Sequence, residues 1–206
     1  MFLEERTVTA VSAEEAQRFA VERYGVRASA TALPGEYDCN FHLLASDGRA
    51  LVLKCMHPAR EATFIDMQCA ALAHLRDNAS DLPLPRVQST TEGLPFTEVT
   101  NSAGQRRLVW MLSFLAGVTL EKANPHSSEL LEDLGRFLGE LDRALATFRH
   151  PAIYRELKWD LARGGWIRSQ LHNIEAPSRR ALVEYFISLN GREVESRRTD
   201  LRAGPI

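Results

Sequence analysis

Between Ser29 and Cys55 the apolar residues fall into three short runs, and Ser46-Asp-Gly-Arg49 joins the last two. Asp-Gly supplies the positive φ that a type I′ turn needs, so the chain must reverse there and pair with itself antiparallel. Ser29–Leu33, Asn40–Ala45 and Ala50–Cys55 are therefore expected as an antiparallel meander, not as a βαβ unit. Pro34-Gly35 ends the first of these strands.

The flanking segments change period. Ser12-Ala-Glu-Glu15 is a capping box, with the Ser12 hydroxyl accepting three residues on and Glu15 reaching back. Ala16, Phe19, Ala20 and Tyr24 follow at helical spacing, and Gly25 closes the helix. His57-Pro58 breaks the third strand. A second helix is expected over Ala62–Arg76, with Phe64, Ile65, Gln68, Cys69, Leu72 and Leu75 along one side. Leu82-Pro-Leu-Pro85 forces an extended connector. Two further strands are expected, Leu94–Val99 and Gln105–Phe114, with a turn at Asn101–Gly104.

From Ser127 onward the pattern is helical. Leu130, Leu131, Leu134, Phe137, Leu138, Leu141, Leu145 and Phe148 form a wide apolar stripe. Gly135 and Gly139 interrupt it at about 1 kcal/mol each relative to Ala, which suggests close backbone packing against another element. Trp159–Ile174 and Ser178–Leu189 read as helices, and Asn190–Ile206 as irregular. Strands first and helices afterwards argue for an α+β fold, with residues 1–116 as one lobe and residues 117–206 as a partial helical lobe.

Composition removes several classes of function. A hydrophobic fraction of 45% supplies a real core, and a net charge of -2 gives no basic excess to neutralise nucleic-acid phosphates. No apolar run of membrane-spanning length occurs, and the acidic start Met1–Arg6 lacks the basic opening of a signal peptide. Cys39, Cys55 and Cys69 show no paired spacing, so reduced thiols and a cytoplasmic location are expected. The six histidines have no metal-ligand spacing. There is no G-x-S-x-G, no Walker-type loop and no dinucleotide fingerprint.

Lys54 is the residue that most invites a chemical role. Within Ala50-Leu-Val-Leu-Lys-Cys55 it shares a strand face with Val52. On pattern alone a packed surface lysine is favoured, its stem on the sheet and its head in water, because lysine is rarely buried without a partner. The other reading needs a carboxylate partner and a phosphate site. Asp66, with Glu61 as a second acid, supplies the carboxylate from the next helix, and a strand lysine paired with a helix acid holds nucleotide phosphates in protein kinases. Gly35, Asp38 and Asn40 lie in the hairpin tip that would fold over phosphates, although the same residues suit an ordinary turn. Ser113 and Leu115, within Met111–Gly117, sit where a hinge would offer its backbone to a nucleotide base.

These residues together carry a resemblance. Gly35-Glu-Tyr-Asp-Cys-Asn-Phe41, Asp47-Gly48, Val52-Leu-Lys54 and Asp66-Met-Gln68 resemble the aminoglycoside phosphotransferase and choline kinase-like superfamily. Leu134–Asp142, Phe148-Arg-His-Pro151 and Trp159-Asp-Leu161 are most similar to hydroxylysine kinase and to kinase domains fused to aminotransferases. The resemblance implies a protein-kinase-like fold, an antiparallel sheet lobe with one inserted helix, and phosphoryl transfer from GTP or ATP with Mg²⁺. The acceptor it implies is a hydroxyl of a small amine-bearing molecule, with 5-hydroxylysine as the specific expectation. Fusion to or association with an aminotransferase is also implied. Carried over by position, Lys54 holds phosphates, Asp66 orients Lys54, and the tip residues cover the phosphate side.

The superfamily's catalytic segment, H-x-D-x-x-x-x-N, has no counterpart: no His is followed two residues later by Asp. The chain reads as a kinase fragment that stops about where that segment should begin. The alternative is a non-catalytic nucleotide-binding or regulatory module.

Overall fold

A computed structural model of the chain describes residues 10–154, 160–200 and 204. These divide into two compact units, one within Glu5–Ile153 and the other within Tyr154–Gly204. Among the described residues no helix is long and apolar enough to cross a membrane.

The first unit opens with α1 (Ala13–Tyr24). Its cap is the expected box: Ser12 Oγ accepts from the Glu15 amide at 3.2 Å, and Glu15 Oε2 accepts from the Ser12 amide at 3.0 Å. Gly25 terminates the helix at φ 65°, where any other L-residue would be strained. Three strands follow, β1 (Ala28–Leu33), β2 (Cys39–Ala45) and β3 (Ala50–Cys55). They pair antiparallel in the expected order, with Ala45 against Ala28 and Cys39 against Cys55.

After α2 (Ala62–Asn78) come β4 (Val87–Gln88), β5 (Phe96–Thr100) and β6 (Arg106–Ser113). β6 lies beside β3, while β4 and β5 share the far edge of β6. The sheet is antiparallel throughout. The two-residue β4 has no alternation long enough to read, so the sequence shows it only as an extended connector.

The two faces of the sheet are covered differently. α1 packs Phe19, Ala20 and Tyr24 on Phe41, Leu43, Leu51, Leu53, Val109 and Met111. Fully burying a side chain such as Phe19 contributes about 1.5–3 kcal/mol. The Tyr24 hydroxyl donates to the Val109 carbonyl at 3.2 Å, and burial raises its pKa. On the other face, Ile65 and Cys69 of α2 meet Met56, Trp110 and Leu112. Cys55 and Cys69 are buried and Cys39 is half-buried, all three as free thiols. Burial raises the Cys69 thiol to about 12.

The unit ends in α3 (Ser128–Leu145), capped by Ser127, and a short turn of 3₁₀ helix at Pro151–Ile153. The stripe on α3 is only partly covered: Leu145 is buried, whereas Leu131 and Leu138 are about half exposed. The expectation of close packing at Gly135 and Gly139 is not met, since a Cβ at either would meet nothing within 4 Å.

The second unit holds Leu161–Asn173, α4 (Pro177–Glu193) and Glu195–Asp200. Leu161–Asn173 winds in 3₁₀ turns rather than as the expected α-helix. Gly164-Gly165 lies inside it and weakens α propensity. Part of the segment expected to be irregular is therefore helical, through Glu193 and again over Glu195–Asp200. Trp159, expected to open a helix, and most of residues 201–206 lie outside the described residues.

Candidate nucleotide site

Lys54 stands near the end of β3, opposite Asn40 on β2 and Trp110 on β6. Alternation along β3 buries Leu51, Leu53 and Cys55 under α1 and leaves Ala50, Val52 and Lys54 half-buried on the α2 side. Among the described residues no carboxylate forms an ion pair with Lys54. Only three of the 25 Lys and Arg residues are lysines, Lys54, Lys122 and Lys158. The chain carries most of its positive charge on arginine, and one of its few compact ammonium groups stands on this central strand.

The hairpin tip beside Lys54 is tightly built. Asn40 Nδ2 donates to the Pro34 carbonyl at 3.2 Å and faces the Asp38 carbonyl at 3.5 Å. Gly35 is required by this closeness, because a Cβ there would overlap the Asp38 carbonyl oxygen and lie 2.7 Å from Asn40 Nδ2. Its backbone angle is not the reason. The Asn40 Oδ1 atom is buried and has no hydrogen-bond partner among the described residues.

Asp38 points inward and not over the tip. Its Oδ1 accepts from the His57 amide at 2.7 Å, and Arg60 Nη2 approaches Oδ2 at 3.4 Å. It therefore braces the tip against the segment that leaves β3. Arg107 holds the same segment from the other side, donating from Nη1 to the Met56 carbonyl at 3.1 Å while only 1% exposed. Its burial has no signal in the sequence, because arginine is rarely this enclosed. His57 is buried between these groups. Burial holds its imidazole below the ordinary histidine range, against the opposing pull of Asp38.

The structure does not bring Asp66 to Lys54. The Asp66 Oδ2 atom lies 3.1 Å from His150 Nε2, and the Asp66 side chain is 57% exposed. Helix geometry accounts for this. Residues two apart on a helix point about 200° apart, so Asp66 and Gln68 face nearly opposite ways. Gln68 shares its side with Phe64, Ile65, Cys69 and Leu72, the residues that meet the sheet. Glu61 is the exposed N-cap of α2 and makes no side-chain cap bond.

The hinge residues divide. Ser113 Oγ accepts from the Arg86 amide at 2.8 Å, and the Ser113 amide donates to the Arg86 carbonyl at 2.9 Å. Ser113 is thus occupied in joining β6 to the strand beside it. Leu115 is about half exposed, beyond the last ladder bond from the Phe114 amide to the Ala50 carbonyl. Sequence reasoning missed an aromatic neighbour of this strand exit: His42 and Phe114 meet edge to face with centroids 4.5 Å apart. With exposed Leu44 and half-buried Ala50 they form an open apolar shelf on the Lys54 side of the sheet. Ala50 is four residues from Lys54, about 13 Å along the strand.

Among the described residues no cluster of His, Cys, Asp or Glu is suited to hold a metal ion.

Comparisons with known proteins bear on the fold and the family. No curated protein matches the sequence. The amicoumacin kinase hAmiN, solved with AMP-PNP, Ca²⁺ and Ami, aligns with a TM-score of 0.66 and 14% identity over 93% of this chain and 55% of its own. The microcompartment-associated aminopropanol kinase aligns with a TM-score of 0.56 and 20% identity over 72% of this chain and 45% of its own. The fold is thus that of these kinases, an α+β protein-kinase-like fold, and the chain spans about half the length of those solved structures. The family model APH, the phosphotransferase enzyme family, matches residues 29–194, and the chain belongs to that family.

Proposed function

We propose that this chain is the nucleotide-binding part of a small-molecule kinase, with Lys54 holding the phosphates of a nucleoside triphosphate. The observation that carries the reading is the half-buried lysine on the central strand β3, beside a glycine-dependent tip and without a carboxylate partner among the described residues. A lone ammonium in a partly desolvated site favours binding of an anion, because the attraction strengthens as the effective dielectric falls. Along β3 the apolar shelf begins at His42, opposite Val52 about 7 Å from Lys54, and reaches Ala50 about 13 Å away, a span that suits a triphosphate at one end and a base at the other.

In this reading the Leu115 backbone meets the base, while Asp38, Asn40 and Gly35 shape the tip that lies over the phosphates. Asp38 acts by bracing and not by contact. The donor is ATP or GTP with Mg²⁺. The acceptor is a hydroxyl on a small amine-bearing molecule, 5-hydroxylysine being the specific candidate from the sequence resemblance. Association with an aminotransferase belongs to the same proposal, as does a cytoplasmic location. The lobes fall at residues 1–116 and 117–206 in this reading, with the hinge between them.

Transfer itself needs a group that positions the acceptor hydroxyl, and the 206 residues contain no H-x-D-x-x-x-x-N. This chain is accordingly assigned nucleotide binding and no turnover of its own. Calorimetric titration with Mg-ATP and Mg-GTP tests the assignment. The expected result is saturable binding of one of them by the parent chain and at least a tenfold loss in Lys54→Ala. Equal affinity in parent and variant would reject the role of Lys54.

A further inference from the structure

The side chains that α2 turns toward the Lys54 face of the sheet follow from its rotation. Phe64, Ile65, Cys69 and Leu72 lie against the sheet face that carries Val52, Trp110 and Leu112. Lys54 stands on that same face, directly beside Trp110 and two residues from Val52. Gln68 falls in the middle of this sheet-facing side, between Phe64 and Leu72 at four-residue steps. Its Nε2 donates back to the Phe64 carbonyl at 3.3 Å, leaving Oε1 with no bond among the described residues. Across the strand pair, Asn40 carries the buried Oδ1 atom that lacks a donor. Directly opposed residues on antiparallel strands have Cβ atoms about 5 Å apart, within reach of a lysine stem.

We infer that Gln68 and Asn40 are positioning residues for Lys54, and that its ammonium is oriented by two neutral amide oxygens instead of a carboxylate. The inference rests on the nucleotide-site reading. Its chemical consequence is distinct. A carboxylate partner orients a lysine but also neutralises it and repels the incoming phosphates. Two amide oxygens orient the ammonium and leave its full charge for the triphosphate. An unpartnered buried amide oxygen is destabilising, so a donor for Asn40 Oδ1 returns stability to the fold as well.

The chain's three lysines make the test direct. Lysine-selective ¹³C,¹⁵N labelling gives three side-chain signals, and Lys54→Arg assigns the one of interest. Gln68→Leu and Gln68→Glu should each move the Lys54 Cε and Nζ resonances clearly, in opposite directions. Asp66→Asn and Glu61→Gln should leave them in place. A shift in either of the latter two, or none in both Gln68 variants, would overturn the assignment. Amide spectra of each variant report whether the fold is kept, and two substitutions at Gln68 guard against the loss of one. Adding Mg-ATP and Mg-GTP to the parent chain tests the underlying reading separately. An unresponsive Lys54 signal would reject the nucleotide site while leaving the ordering among the variants to stand or fall by itself.

Discussion

His150 Nε2 donates to Asp66 Oδ2 at 3.1 Å, and His150 Nδ1 accepts from the Ala152 amide at the same distance. The amide fixes the tautomer, so Nε2 carries the proton that bonds Asp66. His74 adds a second tie, its Nε2 lying 2.9 Å from the Ala144 carbonyl, with Phe148 between the two rings. Together these hold α2 to the end of α3 and the turn at Pro151–Ile153. The acid that the sequence offers to Lys54 is thus occupied in fixing the helix.

Asp66→Ala should therefore act on stability and not on nucleotide affinity. The carboxylate is more than half exposed, so its loss should cost only about 1 kcal/mol. Chemical denaturation of Asp66→Ala, His150→Ala and the double variant checks this. The double variant should lose little more than either single one, because both remove the same bond.

Gly35→Ala should weaken nucleotide binding severalfold with a small loss of stability. The added methyl cannot coexist with the Asp38 carbonyl and the Asn40 amide in their present positions, so the tip must open. Binding titrations beside thermal unfolding separate the two effects. A variant that binds like the parent would show that the tip does not cover the ligand.

Glu15 does two jobs at the start of α1. It closes the capping box and accepts from the Ser102 amide at 2.6 Å, tying the helix to the β5–β6 turn. Glu15→Ala should cost about 1–2 kcal/mol, and Glu15→Gln less, since glutamine keeps the box geometry. Urea midpoints of the two variants test this order.

His57 should make the fold sensitive to mild acid. Burial lowers its pKa below the unfolded value, so the unfolded chain binds the extra proton first. Stability is then complete above the ordinary histidine pKa and falls as pH drops from that value toward the lower folded one. His57→Asn should flatten this part of the curve. Melting temperatures of parent and variant between pH 7.5 and about 5 give the comparison directly.

Much of the frame was legible in the sequence because local chemistry dictated it. The Ser12–Glu15 box, Gly25 and Gly48 each specify a backbone conformation, and β1 to β3 followed with their ends within one residue, although the hairpin turn is not the expected type I′, because φ is positive at Gly48 (86°) and not at Asp47. β4 was not legible because two residues carry no period. The pattern of Trp159–Ile174 predicts a helix but does not distinguish the 3₁₀ turns found over Leu161–Asn173 from an α-helix. In the site, Lys54 and the tip could be found from type and place. The pairing of Asp66 could not, because its partner lies 84 residues away and only the helix's rotation decides which acid or amide faces the strand. Gln68 was visible on the sheet-facing side, but a glutamine among apolar neighbours gives no chemical signal by itself.

The scarcity of lysine also permits the most direct test of the central claim. A nucleotide carrying a reactive acyl group on its terminal phosphate transfers that acyl group to whichever lysine lies against the phosphates, and peptide mass spectrometry identifies the acceptor among Lys54, Lys122 and Lys158. The account predicts that Lys54 is acylated, that the other two are not, and that excess Mg-ATP or Mg-GTP protects it. Labelling of Lys54 no greater than that of Lys122, or labelling that excess nucleotide leaves unchanged, would contradict it.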